Sequence, residues 1–369
     1  MIEYGDYRIA DPDSLETPAM VVFESALDHN IAAMCERAGG AQNLMVHVKT
    51  HKSDAVTRKQ IDAGVFGFKC ATVKEVEMVL GAGAREVVLS YPLLQHRKIE
   101  WLCDLAEQHP GARIYPIVST RPHADALAHV AGKRPGTLPV LVDLDLGLKR
   151  TGVSIDGAAD LYRYIDRLDR LSATGIHAYD GHEHFPEAHE RRAAAHRHID
   201  DIRALVTRIE TGGLRVERIV AGSSFSFEHY ARAEGMLGSP GTSVYWDMGY
   251  DSTYPDSGYR HAALVLTQVI DRYPPDLRFT TDLGVKGISA DQPLESRATI
   301  LGHVDTRLVL QNEEHGVFTC SYELPEIGCY LLAVPGHVCT TTLRYPGSYV
   351  VDEVGQVIDY YPHVARDRR

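Results

Sequence analysis

The chain has 369 residues, with 38 Lys and Arg against 50 Asp and Glu and a formal net charge of −12. That acidic balance excludes nucleic acid as a main partner, because phosphate recognition needs clustered Lys and Arg. Hydrophobic residues make up 44% and charged residues 24%, which excludes a disordered chain, and no apolar run approaches the roughly 18 residues needed to span a bilayer.

The opening stretch MIEYGDYRIADPDSLETP is acidic and lacks the charged-then-apolar layout of a signal peptide, so a cytoplasmic protein with no membrane partner is expected. Next, SALDHNIAAMCERA puts Leu27, Ile31, Met34 and Ala38 on one helical face. Apolar, β-branched runs then recur at 44–49, 65–70, 86–90, 114–118, 140–144, 175–180, 218–222 and 235–243. Helical segments separate them; in TVKEVEMVLGAG, Val73, Val76 and Leu80 share a face and a glycine follows. A repeat of roughly 20 to 40 residues is the size of a βα unit. Eight such strands predict an α/β fold of the (β/α)8 TIM-barrel type, with a doubly wound open sheet as the competitor. After about residue 255 the texture changes. RLVLQN, VFTCSYEL, YLLAVPGHVCTTT and SYVVDE alternate with Pro, Gly, Asn and Asp, which predicts an antiparallel β domain. The expected division is a barrel over 18–250 and a β domain over 255–365 joined by residues 1–17, with the boundary in DSTYPDSGYR.

Chemistry in a barrel gathers at the C-terminal ends of its strands. Lys49, in HVKTHK, ends the first predicted strand, and His47 shares its face by period two. A lysine desolvated in a barrel mouth offers a neutral amine for imine formation; the same pattern also fits a surface lysine in a turn. In VAGSSFSF, the residues Gly222, Ser223 and Ser224 end a strand before a helix-like stretch, an arrangement able to hold a phosphate. In PGHVCTT, a strand would send His337 and Cys339 to one side, and imidazole plus thiolate suits zinc. His182, in YDGHEH just past the sixth strand, could serve as a general acid or base.

HVKTHK, with TPAMVVFESALDHNI ahead of it, resembles the start of the D-serine dehydratase and D-threonine aldolase family, pyridoxal-phosphate enzymes built on the alanine-racemase-like barrel. VDLDLGLKRTGV, GIHAYDGHEH, VAGSSFSF, SPGTSVYWDMG, TTDLGVKGISAD, EEHG and PGHVCTT continue the resemblance in order over nearly the whole chain. It implies Lys49 as the lysine that joins pyridoxal phosphate and a β domain that carries a divalent metal, zinc by its donors, at His337 and Cys339. It further implies that Ser223 and Ser224 hold the cofactor phosphate with Gly241 and Thr242, that Arg150 and Tyr179 face the cofactor ring, and that the chain forms a homodimer. Met45 and Val46 stand where the family often has Arg-Pro, and Thr340 where it has proline. The aldolase branch usually carries aspartate where Cys339 stands, so the cysteine implies the dehydratase branch. The implied activity is removal of water and then ammonia from a β-hydroxy-D-amino acid such as D-serine, D-threonine or D-3-hydroxyaspartate. The alternatives are an aldolase giving glycine and an aldehyde, a racemase, and a non-enzymatic pyridoxal-phosphate carrier.

Overall fold

The computed structural model describes residues 1–303 and 305–368. The described chain divides into two compact units, one built on 34–49, 57–241 and 367–368, the other on 1–33, 50–56 and 242–366.

The first unit is a barrel of eight parallel strands. In chain order they are Met45–His47, Gly67–Cys70, Glu86–Leu89, Arg113–Val118, Leu138–Asp145, Leu171–Tyr179, Arg218–Ala221 and Met236–Gly238. Each pairs with the next, and a parallel bridge between Leu44 and Gly238 closes the ring. The α/β barrel expected from the apolar runs is therefore present. Its filling includes Met45, Val88, Tyr115, Ile117, Leu141 and Val220, all fully or almost fully buried. Parallel register carries that inward direction along each strand. Leu141 points in, so Asp143, two residues on, also points in. Its register partner is His177, and Asp145 pairs with Tyr179. Val88 points in, and its partners in successive strands are Lys69 and then His47. The barrel thus has an apolar base and a polar, charged mouth at the strands' C-terminal ends.

The second unit centres on a sheet in the order Arg307–Gln311, Gly316–Thr319, Arg278–Thr281, Ala263–Tyr273, Ala19–Phe23, Gly347–Val351, Val357–Pro362. Tyr330–Pro335 also pairs with Ala263–Tyr273, and Ala298–Ile300 with Tyr330–Pro335. The long strand Ala263–Tyr273 pairs with Arg278–Thr281 through a register shift between Val269 and Asp271. All pairings are antiparallel except that of Ala19–Phe23 with Gly347–Val351, so the β domain is mostly antiparallel, as expected.

Two local features set where the chain passes between the units. Residues 19–23, placed at the start of the barrel by the sequence, form a fully buried strand of this sheet. Their uninterrupted apolar run, AMVVF, suits a strand covered on both faces. The compact units divide at Gly241–Thr242. There Asn30 fixes the chain by donating to the carbonyls of Val244 and Arg260.

Candidate functional site

Lys49 lies in a single 3-10 turn, 48–50, directly after the first barrel strand. His47 organises that turn. Its Nδ1 accepts the Lys49 backbone N–H at 3.3 Å, its Nε2 lies 3.4 Å from Ser90 Oγ, and its own N–H donates to the Pro240 carbonyl. Both ring nitrogens of His47 are thus engaged by the chain itself.

Three cations converge on the Tyr179 ring. Lys49 Nζ is 6.0 Å from its centroid, Lys69 Nζ 5.4 Å and Arg150 Cζ 5.1 Å. Arg150 is presented by a loop that Asp145 wraps, its carboxylate accepting the N–H groups of Gly147 and Lys149. Tyr179 can fold over this space because residue 181 is glycine: a Cβ there would sit 1.9 Å from the Tyr179 hydroxyl. Lys69 is 2% exposed. Burial, and after it the Lys49 charge, pushes its amine down to about 7, against the pull of Asp180 and Asp143.

Beneath the mouth, His177 Nδ1 is 2.7 Å from Asp143 Oδ1. Burial lowers the pKa of His177, opposed by Asp143. Burial works to raise Asp143, but hydrogen bonds from His177, Thr151 and Ser119 hold it below the usual carboxylate range. The pair is thus a neutral imidazole donating to a carboxylate, and His177 Nε2 is buried with no hydrogen-bond partner among the described residues. His182 Nδ1 is in the same state. His184 is exposed, bonds the Gly181 carbonyl and lies against Phe225.

The Gly222-Ser223-Ser224 turn follows the seventh strand. Gly222 has a φ of +89°, and a Cβ there would meet Tyr230 at 2.8 Å. Ser226 Oγ accepts the Ser223 N–H and donates to Asp180. Ser224 Oγ accepts the Gly241 N–H at 3.1 Å. Thr242 Oγ1 lies 3.6 Å from Cys339 Sγ, a contact that the phosphate expectation for Thr242 did not include.

In the β unit, His337 and Cys339 do not share a strand. The strand ends at Pro335, His337 is the N-cap of the short helix Val338–Thr342, and Cys339 lies in its first turn. Asp247 causes the bend, because its buried carboxylate accepts the Val338 N–H at 2.9 Å. The two side chains still meet. Burial disfavours the charged imidazole of His337, but Cys339 and then Asp291 outweigh it and lift the group to about 9. Asp291 Oδ2 is 2.5 Å from His337 Nδ1. Thr340, standing where the family has proline, donates to Ser289 Oγ at 2.6 Å, and Ser289 donates to Asp291. Thr50, the residue after Lys49, has its hydroxyl 3.2 Å from Cys339 Sγ. No group of three or more His, Cys, Asp or Glu side chains with metal-ligand spacing occurs among the described residues.

Residues 22–248 match the family described as alanine racemase, N-terminal domain, a span of well over half the chain. The chain belongs to that family. Residues 262–351 of this alanine-racemase-type chain match a second family, the putative serine dehydratase domain. The chain is 26% identical over 363 residues to a D-threonine aldolase from Arthrobacter sp., covering 95% of this chain and 93% of that protein. It is 25% identical over 371 residues to a D-threo-3-hydroxyaspartate dehydratase from a Delftia species, covering 93% and 96%. The crystal structure of D-threonine aldolase from Filomicrobium marinum superposes with a TM-score of 0.87 at 26% identity, covering 99% of this chain and 98% of that one. The resemblance read from the motifs is borne out. No helix among the described residues is long and apolar enough to cross a membrane.

The donor set fits the anionic cofactor of this family: cations from Lys49, Lys69 and Arg150, hydroxyls from Ser223 and Ser224, a glycine turn, and buried imidazole nitrogens without partners. Sequence reading assigned no role to Lys69, His177, Asp143, Asp180 or Asp291. Lys69 could have been found from its phase, since GFKC begins a barrel strand next to the one that carries His47. Asp291 lies in the quoted motif TTDLGVKGISAD, but nothing local ties it to His337.

Proposed function

We propose that this chain is a pyridoxal-phosphate-dependent lyase acting on a β-hydroxy-D-amino acid, with loss of water and then of ammonia. The observation that carries the reading is the convergence of Lys49, Lys69 and Arg150 on the Tyr179 ring at the reactive end of the barrel. When bound, pyridoxal phosphate supplies an electron sink that stabilises negative charge at Cα.

In this reading Lys49 would hold the cofactor covalently, and its amine would be the base that takes up the Cα proton. Tyr179 bounds the space for the ring and Arg150 lies against that tyrosine. Gly222, Ser223, Ser224 and Gly241 hold the phosphate with hydroxyl and backbone donors. His182 is the acid–base group expected near the β-carbon. His337 and Cys339 hold a divalent metal, and the nitrogen–sulfur pair suits zinc. Asp291, bonded to Nδ1, orients the imidazole with Nε2 available to a ligand, as carboxylates do behind metal-binding histidines. A metal held there would supply Lewis acidity. Assembly as a homodimer belongs to the same proposal and rests on the family resemblance.

The dehydratase branch is supported by Cys339, where the aldolase branch usually carries aspartate. The second reading, an aldolase giving glycine and an aldehyde, is supported by the similarity to the Arthrobacter enzyme over 95% of the chain. The match of 262–351 to a dehydratase domain supports an enzyme over a carrier. A panel of D-serine, D-threonine and D-3-hydroxyaspartate with product identification tests the branch. Ammonia and a 2-oxo acid are expected; glycine and acetaldehyde as sole products from D-threonine would overturn it.

A further inference from the structure

Lys69 is one of the cations of the site, but no atom of a bound group has been assigned to it, and its environment demands one. It stands on the second barrel strand between His47 and Val88 in register. Val88 belongs to the barrel filling, so Lys69 enters the barrel rather than its outer surface. Its residue is 2% exposed. An ammonium taken that far from water is costly unless an anion or several acceptors replace the lost hydration.

Among the described residues, none gives Lys69 a hydrogen bond or an ion pair within 4.0 Å. The nearby carboxylates are already committed. Asp143 is bonded by His177, Ser119 and Thr151, and Asp180 by Ser226 and Tyr230. The Tyr179 ring lies 5.4 Å from the Lys69 ammonium, and Lys49 and Arg150 share that ring. A single ring face offers roughly 0.5–2 kcal/mol to a cation, far less than three cations require. Asp143 and Asp180 offset part of this charge at a distance, but neither gives the Lys69 ammonium a direct partner. An apolar side chain would occupy the same strand position at lower cost, which makes the lysine a binding group and not a packing one.

We propose that Lys69 is a further binding residue of this site, holding an anionic oxygen of what occupies it: the carboxylate of the amino acid or the phenolate of the cofactor. The assignment rests on the reading of the barrel as a pyridoxal-phosphate site. A partner of that charge would also restore the lysine's ammonium form, which burial and Lys49 now disfavour.

The test uses full-length wild type and Lys69→Met, which keeps the length and removes the charge. Cofactor-free melting temperature, cofactor dissociation constant, visible spectrum and spectral titration with D-serine are compared. The cofactor-free variant is expected to melt no lower than wild type, because an unpaired buried amine has gone. Binding should weaken about tenfold in one arm, the loss typical of a charge-assisted hydrogen bond. If the phenolate is the partner, cofactor affinity falls and the spectrum shifts before any amino acid is added. If the carboxylate is the partner, cofactor affinity and spectrum hold and D-serine binding weakens. A folded variant within about twofold of wild type in both arms overturns the assignment alone. A wild-type chain that takes no cofactor overturns it together with the reading of the barrel. Should Lys69→Met not fold, Lys69→Gln carries the same comparison under the same criteria.

Discussion

Asp291 Oδ2 lies 2.5 Å from His337 Nδ1. The bond orients the imidazole and leaves Nε2 as the nitrogen that a metal would take. Ser289 and Thr340 bond the carboxylate in turn, so three side chains stand behind one metal-binding candidate. Asp291→Asn is expected to lower zinc affinity roughly 10–100-fold, the usual effect of losing a carboxylate behind a ligating histidine. Competition with a chromophoric chelator measures it. Unchanged affinity would leave Asp291 as a surface partner of His337 and nothing more.

The identity of the residue at 339 should set which metal is held. Cys339→Asp replaces a soft thiolate with a hard carboxylate, so the preference is expected to move from zinc toward Mg²⁺ or Mn²⁺. Metal content after dialysis against a mixture of the three, followed by elemental analysis, reads this directly. A variant that keeps the wild-type preference would mean that Cys339 is not a ligand.

The Ser224 hydroxyl accepts the Gly241 N–H, which ties together the two turns expected to hold phosphate. Ser224→Ala is expected to weaken pyridoxal phosphate binding about tenfold, the order of one hydrogen bond to a charged group. Binding of pyridoxal, which lacks the phosphate, should not change. Equal losses for both compounds would place the effect elsewhere in the site.

The eight barrel strands were legible because each is a short apolar run between helical segments, and a buried parallel sheet needs such runs. The sheet partners of the strand at 19–23 were not legible. Ala19–Phe23 finds its partners in Ala263–Tyr273 and Gly347–Val351, more than two hundred residues away, and nothing near residue 19 announces them. The pairing of His337 with Cys339 was expected, but for the wrong local reason. A strand would have joined them by alternation, whereas Asp247, from another part of the chain, captures the Val338 N–H and turns the segment into a helix. Lys69 was overlooked because a lysine in an apolar strand reads as a solvent-facing residue. Only the register with Val88 turns it inward.

His363 gives a pH dependence independent of cofactor and metal. Burial lowers its pKa from 6.5 to about 4, opposed by bonds to the carbonyls of Tyr345 and Thr342. The folded pKa is therefore below the unfolded one, so the unfolded chain takes up the proton first. The stabilisation is complete above pH 6.5 and is lost as pH falls toward 4. The loss from this group is roughly 3 kcal/mol across that window. Denaturant midpoints for wild type and His363→Asn check it. The variant should lack this part of the acid slope, and an identical slope would contradict the assignment.

Covalent trapping of the cofactor tests the central claim most directly. The chain is loaded with pyridoxal phosphate, reduced with borohydride and digested, and the modified peptide is sequenced by mass spectrometry. The account predicts one phosphopyridoxyl group, on Lys49, and none in a Lys49→Ala variant. A label on Lys69, on Lys52 or on no lysine at all would contradict it.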